Sequence, residues 1–207
     1  MGRNSGGVVN ISGGSAKGAM VGKMVMESRA IHTIKDRLVV KELQSGISRF
    51  HAVMGVREKS VRIADISAMG ALGVTYVSGI DGKSKGILLN EKFFDRSKNT
   101  IIKDVKTNHY ATGFKNKTNR PLQHTITHEL AHATWNASMT SSKAKAAGKE
   151  IRNLYKVWMR DKNKTGYGSY GRTNTSEFFA ETVTKAIHGN ADRYTKRIKT
   201  IVSKYQL

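Results

Sequence analysis

The chain has 207 residues, 38% of them apolar, which suffices for one sizeable core with polar ends and is too apolar for disorder. It contains no cysteine, so disulfides and thiolate metal sites are excluded and any metal must bind through His, Asp or Glu. The net charge is +21, from 36 Lys and Arg against 15 Asp and Glu, and the surplus runs through every third of the chain instead of forming a tail.

Such a field attracts nucleic acid or acidic protein surfaces, and a plain solvated surface fits the charge equally well. No zinc knuckle or RNA-binding signature accompanies it. In chain order, residues 1–20, MGRNSGGVVNISGGSAKGAM, are Gly/Ser-rich and read as a flexible arm without the apolar core of a signal peptide. No run approaches the roughly 18 apolar residues of a spanning helix. The expectation is a soluble protein made in a cytoplasm, of a bacterial host or within a phage particle, with no membrane partner.

Residues 21–207 read as one domain. Met24, Ile31, Ile34, Leu38 and Val39 sit near helical spacing and predict a helix over 22–44. Residues 47–94 look strand-rich, with SVRIADI, LGVTYVSG and GILLNEKFF as short β-branched or aromatic runs and GIDGKSKG as a hairpin turn. Residues 95–119 are polar and read as loop. Asn119 can cap a helix from about Arg120 to Asn136, with Pro121 in its tolerated first turn and Leu122, Ile126, Leu130 and Ala133 as its apolar stripe. Helices are expected at about 142–160, 175–188 (ending at Gly189) and 191–204, with a Gly/Tyr loop, DKNKTGYGSYGRT, between the first two. Strands followed by helices predict an α+β fold: a small mixed or antiparallel sheet packed on the 120–136 helix, then a helical C-terminal half.

That helix carries His128, Glu129 and His132, the pattern H-E-x-x-H. Residues four apart project from one helix face, so two imidazoles can reach one zinc ion. The two histidines lie off the apolar stripe and need not belong to the core. Glu129 projects about 100° around the helix from His128, where it can hold a water and take its proton. The bland alternative is a helix with two surface histidines.

The third ligand must come from elsewhere. A metzincin would place a glycine three residues and a histidine six residues after His132, but Trp135 and Ser138 stand there. The downstream carboxylates are Glu150, Asp161, Glu177, Glu181 and Asp192. Glu177 and Glu181 stand out in NTSEFFAET, four apart at the start of a helix. One can bind zinc while the other accepts a hydrogen bond from a ligand histidine. Glu177 could instead be a capping glutamate that reaches back to Asn174.

HELAH at 128–132 followed by SYGRTNTSEFFAE at 169–181 resembles the catalytic domain of the anthrax lethal factor-like zinc metallopeptidases, a gluzincin-type family. The likeness covers roughly residues 85–190. It implies a zincin-like domain in which His128, His132 and Glu177 bind one Zn2+ and Glu129 is the general base. It further implies that Tyr170 points its phenol at the scissile carbonyl and that Glu181 supports a ligand histidine. Tyr167 is the rival tyrosine, with packing as its plainer role. The family holds an extended substrate against an edge strand, which would make GILLN, residues 86–90, that strand. Substrate identity does not carry over, because a +21 chain repels the basic substrates that lethal factor favours.

Two functions are therefore expected. The first is a zinc-dependent endopeptidase that hydrolyses a protein or peptide substrate through a zinc-activated water. The second is a basic, nucleic-acid- or virion-associated structural protein with a structural or vestigial zinc site.

Overall fold

The computed structural model describes residues 8–11, 15–56, 60–77, 84–137 and 142–207. The described residues begin with strand β1 (Val8–Asn10) and helix α1 (Ala16–Glu27), whose Ser15 hydroxyl caps the Gly18 N–H at 3.0 Å. β1 and the first residues of α1, 16–20, lie within the stretch expected as an arm. Ser28 then leaves the helix, and strand β2 (Arg29–Ala30) and a 3₁₀ turn at Ile31–Thr33 follow. Asp36 caps α2 (Arg37–Met54), which ends at Gly55 with φ of 65°. The single helix expected over 22–44 is thus two helices with a strand between them. The break is made by Arg62, which donates to the Ser28 hydroxyl and carbonyl and so holds that residue extended just before β2. That contact spans 34 residues, and no local pattern reports it.

Strands β3 (Ser60–Ala64), β4 (Gly73–Val77) and β5 (Ser84–Asn90) fall where the β-branched runs predict them. The proposed hairpin turn lies mostly outside the described residues. The sheet order is β1-β4-β5-β3-β2, with β1–β4 and β3–β5 parallel and β4–β5 and β2–β3 antiparallel. β5 is therefore central. Residues 86–90 cannot form the edge expected of them, because β4 and β3 occupy both of their sides.

Alternation sorts the sheet's two faces. Val9, Val74, Tyr76 and Leu88 pack with Val21 of α1 in a small core. Ile63, Ile87 and Leu89 point the other way into the main core, with Leu43 of α2. A short helix α3 (Glu91–Phe94), α4 (Lys98–Val105) and a π turn at Lys106–Tyr110 follow. This corrects the loop expected over 95–119. The apolar signal there was sparse, and its helical part rests on Ile101 and Val105, which are buried one turn apart behind the Ser97 cap.

Helix α5 (Pro121–Ala137) crosses the sheet's main-core face. Gly46 of α2 admits it closely, since a Cβ there would come within 2.5 Å of Ile126 Cγ2. The C-terminal half is helical: α6 (Ser142–Arg160), a 3₁₀ turn at Ser169–Arg172, α7 (Thr175–His188) and α8 (Arg193–Tyr205). Trp158 of α6 packs on Phe178 of α7, while the adjacent Phe179 packs on Trp135 of α5. The fold is α+β, with a small mixed sheet on the HExxH helix. Among the described residues no helix is long and apolar enough to cross a membrane.

Candidate metal centre

Helix α5 buries every residue from Pro121 to Thr134, polar ones included. His128 and His132 lie off the leucine stripe but are 0% and 2% exposed, because α7 and the Ser169–Arg172 turn cover that face too. Burying imidazoles and a carboxylate is costly unless each has a partner. The question on α5 is where those partners are.

α7 supplies them. Asn174 caps the helix by accepting from the Glu177 N–H at 2.9 Å, while the Glu177 carboxylate turns away to the histidines. The capping alternative thus holds for the backbone of Glu177 and not for its side chain. Glu177 Oε2 lies 3.2 Å from Nε2 of both His128 and His132, and the two Nε2 atoms are 3.1 Å apart. A divalent ion bound tetrahedrally at roughly 2.0–2.1 Å spans ligand–ligand edges of about 3.3–3.4 Å. The observed triangle is within about 0.2 Å of that, and its donors are two imidazoles and one carboxylate. His128, His132 and Glu177 can hold a metal ion.

The outer nitrogens are also placed. His128 Nδ1 lies 2.9 Å from Glu181 Oε1, and His132 Nδ1 lies 2.9 Å from the Ser176 hydroxyl. Partners at Nδ1 leave Nε2 turned to the common point. Glu181 is itself pinned: Asn116 donates its N–H to Glu181 Oε2 at 2.9 Å and its side-chain amide to the Glu181 carbonyl at 2.7 Å. Asn116 Oδ1 then accepts from Gly168 N–H at 2.7 Å, which ties the Tyr170 loop to the same group.

Charge in the cluster is strongly coupled. Burial and the Lys115 ammonium oppose a charged His128, but Glu177 and Glu181 outweigh them and push its pKa up to about 9. Burial also opposes the Glu177 anion, yet His128 and His132 hold it well below the usual carboxylate range. Glu181 is fully buried, and against that penalty His128, His124 and Lys115 pull it down to about 2. The pocket is thus built for anionic carboxylates around a positive centre.

Glu129 faces a different way. Its side chain lies against β4, where a Cβ on Gly73 would come 2.7 Å from Glu129 Cγ and Cδ. It is 1% exposed, and its Oε1 has no hydrogen-bond partner among the described residues. A buried carboxylate oxygen without a partner demands an explanation.

Tyr170 is 3% exposed, with its ring stacked on His128 (centroids 5.6 Å apart, 15° between planes) and on Phe114 (4.4 Å). Its N–H donates to the Phe114 carbonyl at 2.8 Å, and Gly168 permits that pairing because a Cβ there would strike the Phe114 carbonyl and Lys115. Tyr167 packs edge-on against Trp158 and donates to Asp192 at 3.3 Å, beneath Lys185. Of the other downstream carboxylates, Glu150 pairs with Arg197 and Lys204, and Asp161 with Arg193.

Four participants escape a sequence reading. Ser176, Asn116 and Gly73 sit in plain polar or strand sequence. His124 is the fourth, one turn before His128, and the i, i+4, i+8 row of histidines was its only signal. His124 is 1% exposed, 3.9 Å from Glu181 Oε2, and burial lowers its pKa to about 3, so it is a neutral ring.

Comparison with protein-family models, curated proteins and solved structures found no match for this chain.

Proposed function

We propose that this chain is a zinc-dependent endopeptidase. The observation that carries the reading is the buried triangle of His128, His132 and Glu177 donor atoms, with edges of 3.1–3.2 Å. Two imidazoles and a carboxylate without thiolates suit Zn2+ and leave a position open, as in catalytic sites. The unpartnered Oε1 of Glu129 adds support, because packing alone gives no reason to bury a carboxylate there without a partner. The resemblance of HELAH and SYGRTNTSEFFAE to lethal factor-like metallopeptidases points the same way.

When bound, zinc supplies Lewis acidity toward a peptide carbonyl and a water. The chain's own groups do the rest. Glu129 takes a proton from the attacking water at its carboxylate and passes it to the departing amide nitrogen. Tyr170, fixed between His128 and Phe114, donates from its phenol to the carbonyl oxygen as that atom gains charge. Glu181 and Ser176 hold the two histidine rings by their Nδ1 atoms.

The test pairs two measurements. Purified chain should carry one zinc, lost in His132→Ala. Glu129→Gln should retain that zinc and lose cleavage of a mixed peptide library by about 10²–10⁴-fold. A Glu129→Gln chain that cleaves like the wild type, or zinc-free protein from a chelator-free preparation, sinks the reading.

A further inference from the structure

In the C-terminal third of the chain the two signs of charge are separated by depth. The acidic side chains are drawn inward: Glu150 is 24% exposed, Asp161 10%, Glu177 10%, Glu181 0% and Asp192 28%. Apart from the buried Lys185 and the half-buried Lys164, the described cations stand outward. On α6, Lys145, Lys149, Arg152, Lys156 and Arg160 are all exposed. Their spacing of i, i+4, i+7, i+11 and i+15 places them in one stripe, opposite the buried Ala144, Ala147, Ile151 and Trp158. At about 1.5 Å rise per residue, the row is about 22 Å long.

The row contains no acid. Glu150, the only acidic residue on α6, turns aside to Arg197 and Lys204 of α8. The row also lies near the turn that carries Tyr170. Tyr155 on its flank donates to the Arg172 carbonyl at 2.8 Å, and Arg172, itself exposed, belongs to that turn. Aromatic rings are withheld from this face, since Trp158 is fully buried and Tyr155 is stacked on it.

We propose that the outer face of α6 binds the phosphate backbone of duplex nucleic acid without reading its sequence. A 22 Å length of duplex carries about 13 phosphates, a regular array that a straight row of five cations can follow. Single strands are gripped largely by base stacking, and this face offers no exposed ring to stack on. An acidic protein surface is the rival, and the exposed Val157 and Met159 on the same helix are the reason to test it. The binding requires no metal, so it stands apart from the peptidase reading. With both in place, the row would hold the metal centre beside proteins that are themselves bound to nucleic acid.

The experiment is fluorescence anisotropy of the full chain with a 30-base-pair duplex of mixed sequence, titrated at about 50 and about 200 mM salt. If the five row cations make the phosphate contacts, wild-type affinity falls about 500-fold between those salts. The triple variant Lys149→Gln, Arg152→Gln, Lys156→Gln should fall only about 12-fold, starting from weaker binding. A control triple at exposed Lys41, Arg49 and Lys103 removes the same charge elsewhere and should keep the wild-type slope. Equal loss in both triples overturns the assignment to α6. So does an absence of binding at low salt, or binding of a single strand or of polyglutamate as tight as that of the duplex at equal charge. His132→Ala should bind as the wild type does, so failure of peptide cleavage leaves this result standing.

Discussion

Helices α5 and α6 have similar lengths and opposite designs. α6 is an ordinary amphipathic helix: its apolar side is in the core, and Lys145, Lys149, Arg152, Lys156 and Arg160 are in solvent. α5 buries both sides, and its inward polar groups include Gln123, His124, His128, Glu129 and His132. A helix that only had to support the fold would not bury so many polar groups, because each carries a desolvation cost that needs a partner. His128 and His132 of α5 find their partners in Glu177, Glu181 and Ser176 of α7, and Gln123 donates to Glu42 of α2. The contrast separates two duties: α6 contributes stability through its inner face and charge through its outer one, whereas α5 gives up packing simplicity for chemistry.

Four experiments would break or sharpen that contrast. Trp158→Ala strikes the inner face of α6 and should cost about 3–5 kcal/mol in denaturant unfolding, the range for a fully buried aromatic. A loss below about 1 kcal/mol would mean that α6 is not anchored by this ring. Gly73→Ala pushes the new methyl against Glu129 and should lower peptide cleavage about 100-fold, since a shift near 1 Å in a reacting group has that effect. Zinc content should stay at the wild-type level, and loss of the metal together with activity would place Gly73 in folding rather than in aiming Glu129.

Glu181→Gln removes the anion at His128 Nδ1 and should weaken metal binding about 10–100-fold in a chelator competition. Unchanged affinity would show that the 2.9 Å contact does not orient the ring. The smallest effect concerns pH. His124 has a pKa near 3 in the folded chain against about 6.5 when unfolded, so the unfolded state takes up protons first. Its contribution is full above pH 6.5 and is lost as pH falls toward 3, by up to about 1.4 kcal/mol per unit. His188, lowered to about 4 by burial, acts in the same direction. His128, raised to about 9, is protonated in both states at the low end of this window and adds no slope there, and Glu181 enters only below about pH 4.5. In metal-free protein, melting temperature should therefore drop between pH 6.5 and 4.5. His124→Asn should flatten that drop, and an unchanged slope would mean that His124 is not the titrating group.

Legibility in the sequence followed the range of the interactions. The bounds of α6 and α7 were readable because capping and helical periodicity are local: Asn174 precedes its helix by one residue, and Gly189 follows it by one. The strand runs at 60–64 and 73–77 were readable for the same reason. The helix break at Ser28 was not, because it rests on Arg62 across the sheet, and the periodicity simply ran on through it. The position of β5 in the sheet was equally hidden, since strand order depends on pairings between segments far apart in sequence.

Within the site, the division is similar. By itself the sequence determined that His128 and His132 share a helix face, that Glu129 stands beside them, and that Glu177 and Glu181 share a face on a later helix. These follow from a 3.6-residue repeat and need no fold. Only the tertiary structure decided that α7 lies against α5 at a separation that brings Glu177 to both Nε2 atoms at 3.2 Å. It also decided that both histidines are buried, that Glu181 faces the outer nitrogen of His128, and that a glycine on β4 makes room for Glu129. Helix geometry orders atoms within about one turn, whereas the meeting of two helices is set by the whole packed core between them.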